Sequence, residues 1–156
     1  MASAVPLNWA RVVRAGVIAG IAGGIAIDVF LFFAAVLPQH GSLPGLWSGI
    51  AATAMGKGVL QNSAAPLMGA VLHFCVSIGW ACGYAYMAQT RDGIDRHWFT
   101  SGLVFGIVVY VAMQIVLMAA NAFHRPVILE FVIGVLAHTV FFGLPVAATV
   151  RAVDRT

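Results

Sequence analysis

Charge is what this sequence has least of. Only 8% of its 156 residues are Asp, Glu, Lys or Arg and 62% are hydrophobic, against about 25% and roughly 45–50% in ordinary soluble domains. A water-solvated fold could not hide that much apolar surface, so the composition excludes one. Cysteine is nearly absent too. Cys75 and Cys82 stand seven positions apart on one predicted helix, about 10 Å along its axis and beyond disulfide reach. That excludes a disulfide framework and leaves two small buried thiols packing like alanine. Basic residues are sparse as well. With a net charge of +3 and eight Lys and Arg scattered between apolar runs, the chain has no stripe that could follow a phosphate backbone, so nucleic acid is not an expected partner.

What is present is long apolar runs. Four of them, at about 11–37, 64–88, 98–121 and 127–150, reach the roughly 20 residues a bilayer-spanning helix requires. The expected fold is an all-α, integral membrane four-helix bundle in a single domain, with the lipid bilayer as its solvent. No stretch remains for a separate soluble catalytic domain. The first run resembles a signal peptide because Arg11 and Arg14 precede it. It is too long for an h-region of about 7–15 residues and carries Asp28 in its middle, so it reads as a retained helix. Arg11, Arg14, Arg91, Arg96, Arg151 and Arg155 flank one set of helix ends, and Lys57 and Arg125 the other. The positive-inside bias then puts both termini in the cytoplasm.

Gly16, Gly20 and Gly24 form a small-residue stripe on the first helix, which Pro38 is expected to stop. A second stripe, Gly102 and Gly106, lies on the third. Residues 43–60 are too polar and too rich in Gly and Pro to span, yet Leu43, Leu46, Trp47, Ile50 and Ala54 recur at helical spacing, which predicts a short interfacial helix. Gly56-Lys57-Gly58 lacks the flanking residues of a phosphate loop. His40 and His124 fall in outer loops and should face solvent. Pro145, inside the last helix, removes one backbone hydrogen bond and predicts a kink there.

The first and third helices share a register at an offset of 86 (Gly16, Gly20 and Asp28 with Gly102, Gly106 and Gln114). The second and fourth share one at 64 (Val71-Leu72, Gly79 and Arg91 with Val135-Leu136, Gly143 and Arg155). This is the pattern of a parallel two-helix internal repeat.

Polar side chains inside a span are costly, about 2.5–3.5 kcal/mol for Asp at the centre of a helix, and usually face the bundle interior. Counted from the outer helix ends, Asp28, His73, Gln114 and His138 lie at comparable depth, roughly 10–17 Å in, and could form one buried polar cluster. Three readings compete. A structural layer would satisfy its members by mutual hydrogen bonds. A proton or ion pathway through Asp28, His73 and His138 would add Ser77, Tyr84 and Glu130 as steps toward the two faces. A haem or divalent metal would take His73 and His138 as ligands. Ser77 sits one turn from His73 but within an uninterrupted apolar helix, so nucleophilic catalysis has no oxyanion donors.

The run His73-Phe74-Cys75-Val76-Ser77-Ile78, continuing to Gly83-Tyr84, resembles the YagU-like inner-membrane proteins, as do Gly102-Leu103-Val104-Phe105-Gly106 and His138. The resemblance covers about 66–150. It implies a bacterial inner-membrane protein with no defined activity. Two departures stand out: a shorter connection between the third and fourth helices, and Gln114 where a titratable residue is expected. The expectation is therefore a non-enzymatic membrane component with no cofactor, packed through its glycines and assembling with itself or with a larger complex.

Overall fold

The computed structural model describes residues 7–123 and 125–155, and of residue 92 the backbone only; His124 lies outside them. Helix α1 (Trp9–Leu31) starts where the Asn8 side-chain oxygen accepts the Arg11 N–H at 3.1 Å, an N-cap that satisfies one otherwise orphaned donor. Its buried residues, Val12, Ala15, Gly16, Ala19, Gly20, Gly23, Gly24, Ile27 and Asp28, recur every three or four positions and so make one stripe. They are small. The bulkier Ile18, Ile21, Ile25 and Val29 point outward. A helix in water would bury those instead. In hydrocarbon no apolar side chain gains by hiding, so helices associate where small residues let backbones touch.

Pro38 does not stop the first span. It continues through a π turn (Phe32–Val36) and a 3₁₀ turn (Leu37–Gln39), the ring of Pro38 withholding one donor and the widened turn before it absorbing the mismatch. His40, left-handed with φ 55°, ends it. Helix α2 (Leu43–Met55) is capped by the Ser42 hydroxyl, which accepts the Gly45 N–H at 3.2 Å. Its 13 residues are too few to span. It lies instead along α3 (Ala65–Thr90), seated where Gly69 leaves room for the Trp47 carbonyl; a Cβ at 69 would overlap it. The stretch 43–60, where the spacing predicts a short helix, holds α2 and most of the 3₁₀ turn Lys57–Gln61 after it.

A short α4 (Asp92–Arg96) leads into α5 (Trp98–Ala119). Asn121, left-handed at φ 52°, closes α5 with the Ala122 N–H donated to the Leu117 carbonyl at 2.9 Å, a Schellman-type end. The fourth span consists of α6 (Ile128–His138), a π turn (Thr139–Gly143) and α7 (Leu144–Asp154). The kink expected at Pro145 takes this form. The ring withholds a donor near the start of α7, and the preceding turn widens to absorb the mismatch.

Four helices, Trp9–Gln39, Ala65–Thr90, Trp98–Ala119 and Ile128–Asp154, are long and apolar enough to cross a membrane, and no strand occurs among the described residues. The chain is an all-α four-helix membrane bundle. The first and fourth spans form its centre, α3 packing on the first and α5 on the fourth. Phe105 joins the outer pair, its ring 5.0 Å from Tyr84 and 6.1 Å from Phe142.

Both glycine stripes are consumed inside the chain. A Cβ on Gly16 would come within 2.7 Å of the Cys82 Cα, and one on Gly20 within 2.7 Å of the Ile78 nitrogen. In the other hairpin, Gly102 lies against Gly143 and Ala147, and Gly106 against His138 and Thr139. The two hairpins therefore pack by one scheme, with Ile78 and Cys82 answered by Thr139 and Gly143, an offset of 61 where the repeat in the sequence reads 64. Gly24 faces the Phe74 ring and Ser77. Of the two thiols, Cys82 is half-buried as expected, but Cys75 is exposed on the lipid-facing side of α3, and both are free.

Candidate functional site

Asp28 is the only charged residue among the buried ones described, 5% exposed near the C-terminal end of α1. The stripe that carries it also carries Gly24 one turn earlier, and that absence of a side chain lets α3 approach closely enough for His73 to reach across. The His73 Nε2 lies 3.3 Å from Asp28 Oδ1 and 3.3 Å from the Gly24 carbonyl oxygen. Both neighbours are acceptors, so Nε2 carries the hydrogen in this arrangement.

The other carboxylate oxygen is held from a third direction. Trp47, on α2, donates its indole N–H to Asp28 Oδ2 at 3.1 Å. One carboxylate thus ties together α1, α2 and α3. Its Oδ1 is buried and, although His73 is near, no donor is aligned on it. The site is an ion-pair geometry with one good hydrogen bond and one loose contact. It can keep a charge or a proton in apolar surroundings, and it makes the position of α2 depend on Asp28.

Of the four side chains expected to cluster, the structure brings together Asp28 and His73. His138 stands within electrostatic reach of His73 but shares no hydrogen bond with it, directing Nδ1 at the Gly134 carbonyl of its own helix, 2.8 Å away, with its ring edge-on to Tyr110 at 5.5 Å. Gln114 is half-buried, and no hydrogen bond joins it to Asp28, His73 or His138 among the described residues. The residue that completes the site is Trp47, which the sequence pattern marks only as part of an apolar face. A buried indole N–H needs an acceptor and a buried carboxylate needs donors, and that mutual requirement was the available signal.

Of the three expected relay residues, Ser77 borders the Asp28–His73 pair and the other two are engaged elsewhere. Ser77 is buried next to Gly24. Tyr84 sits two turns further along α3, its hydroxyl 2.7 Å from Ser101 Oγ. Ser101 in turn donates to the Ile94 or Trp98 carbonyl at 3.0 and 3.1 Å, so the pair fastens the α4 connection to the bundle. Glu130 accepts the Val127 N–H at 3.1 Å and caps α6. Among the described residues no three His, Cys, Asp or Glu side chains converge as metal ligands would. Asp28 and His73 alone would supply two.

At the opposite end of the bundle the helix termini are tied by polar contacts. The Asn8 N–H donates to Gln89 Oε1 at 3.4 Å, and Arg151 stands between the face of Trp98 and the carboxylate of Asp95. No family model, no curated protein and no solved structure matches the chain.

Proposed function

We propose that this is a non-enzymatic membrane component whose Asp28–His73–Trp47 site is a structural latch, fastening the outer helix α2 across the mouth of the α1/α3 hairpin. What carries the reading is a single observation: one buried carboxylate faces two other helices, Oδ2 hydrogen-bonded to the Trp47 indole and Oδ1 3.3 Å from His73 Nε2. A latch needs that convergence and nothing more. A proton pathway would need further polar steps; Ser77 borders the latch beside Gly24, but Tyr84 and Glu130 are bound elsewhere.

The chain acts, on this reading, as a scaffold in a bacterial inner membrane, related to the YagU-like proteins and with both termini on the cytoplasmic side. The distribution of arginines and the run from His73 to Tyr84 support those assignments. Assembly with further copies or with a larger complex would use lipid-facing surfaces, since the glycine stripes are occupied within the chain. The test is proton flux in proteoliposomes containing a pH-sensitive dye. Wild type and Asp28→Asn should both match protein-free vesicles. Flux in wild type that Asp28→Asn abolishes would replace the latch by a proton pathway.

A further inference from the structure

The arginines that mark one end of the bundle do more than set topology. Where α5 begins and α7 ends, Trp98, Ala148, Arg151, Ala152 and Arg155 line a groove of about 250 Å³. The flanking spans start at Trp98 and finish at Asp154, so the groove lies at the boundary between hydrocarbon and polar headgroups. Arg151 is held in it: its guanidinium carbon sits 5.7 Å from the centroid of the Trp98 ring, and its Nε is 4.0 Å from Asp95 Oδ1, buried and without a hydrogen bond. The aromatic plate and the carboxylate fix the stem end of the fork. No hydrogen bond uses its terminal nitrogens among the described residues. Arg155 follows at i+4, on the same face of the helix, and is exposed, with no carboxylate paired to it among the described residues. Ala148 and Ala152 keep the floor open. Two guanidinium groups on one face, one of them pre-oriented, suit a phosphate's several oxygens.

We propose that this groove binds the phosphodiester headgroup of an anionic glycerophospholipid. A second basic groove at the same end, lined by Asn8, Ala10, Arg11, Arg14 and Val153, is the natural control. Its arginines are exposed, with no aromatic ring under either among the described residues, and Arg11 is within electrostatic reach of Asp154.

The experiment uses the full-length protein, stripped of lipid in a neutral detergent and offered equal amounts of phosphatidylglycerol and phosphatidylcholine, with retained lipid counted by native mass spectrometry. Wild type should hold phosphatidylglycerol in preference, and Arg151→Ala/Arg155→Ala should lower that preference by roughly tenfold, the scale of charge-assisted hydrogen bonds lost from one phosphate. Arg11→Ala/Arg14→Ala should leave it unchanged. Arg155→Ala alone, an exposed change, carries the test if the double variant does not fold, and should lower the preference severalfold. Four results would each overturn the proposal. They are equal retention of the two lipids by wild type, undiminished preference in the folded Arg151 and Arg155 variants, an equal loss in the Arg11/Arg14 variant, or displacement of the lipid by an equal concentration of inorganic phosphate.

Discussion

If Trp47 latches α2 through Asp28, then Trp47→Phe should loosen α2 before it loosens the bundle. The substitution keeps an aromatic ring and deletes the one well-aligned donor to the carboxylate, the indole N–H at 3.1 Å. Hydrogen bonds to charged groups contribute about 1.5–3 kcal/mol in soluble proteins, whereas polar pairs between membrane helices average about 0.6 with a maximum near 1.7. Asp28 is buried and its Oδ1 already lacks an aligned donor, so losing the indole strips the carboxylate of its only good partner. The upper part of the membrane range applies, about 1–2 kcal/mol, or roughly 5–30-fold in an equilibrium constant. Because Phe also fills less space than Trp, the single variant mixes packing with hydrogen bonding, and a double-mutant cycle with Asp28→Ala separates them. Equilibrium unfolding in mixed micelles, followed by helical signal, would read the global term. Limited proteolysis in the exposed connection 56–64 would read release of α2. The double variant should cost less than the sum of the two singles by that 1–2 kcal/mol. If the two costs instead add within about 0.3–0.5 kcal/mol, the usual result for residues that do not interact, the latch is refuted.

The glycines give a paired test of close packing. A Cβ at Gly106 would sit 2.5 Å from the Thr139 Cα and 2.8 Å from the His138 carbonyl carbon, whereas one at Gly79 would meet nothing within 4 Å. Gly106→Ala should therefore destabilise by about 1–3 kcal/mol, since backbone cannot swing aside, while Gly79→Ala should be neutral or slightly stabilising through helix propensity; equal melting temperatures for the two would contradict this packing. Tyr84→Phe, which leaves the Ser101 hydroxyl without its phenol at 2.7 Å, should lower stability by about 0.5–1.5 kcal/mol and speed proteolysis between α3 and α5. An unchanged cleavage rate would mean the pair does not fasten that connection.

The parts of this molecule that composition controls were legible in the sequence, and the parts that rotation controls were not. An apolar run long enough to cross hydrocarbon has few alternatives to helix, because no water is present to satisfy its backbone. The four spans could accordingly be placed by counting, and depth along each helix could be counted too. Depth brought Asp28, His73, Gln114 and His138 to one level. Which way each side chain points depends on how a helix is turned about its own axis, and that angle is set by contacts far apart in the sequence. Gly24 admits α3 against α1, so His73 faces Asp28. Gly106 is pressed against the His138 carbonyl, which turns the backbone of α6 toward α5 and leaves the His138 ring beside Tyr110 and its Nδ1 on Gly134. The same glycines that could be recognised as packing residues thus decided which polar residues meet. Trp47 was hidden by a related effect. Its side chain fits an interfacial stripe, and only the folding of α2 onto Gly69 carries its N–H down to Asp28. In a bundle held by close backbone approach, a polar site is therefore better sought by first pairing the glycines and then asking which donors and acceptors that pairing leaves opposite one another.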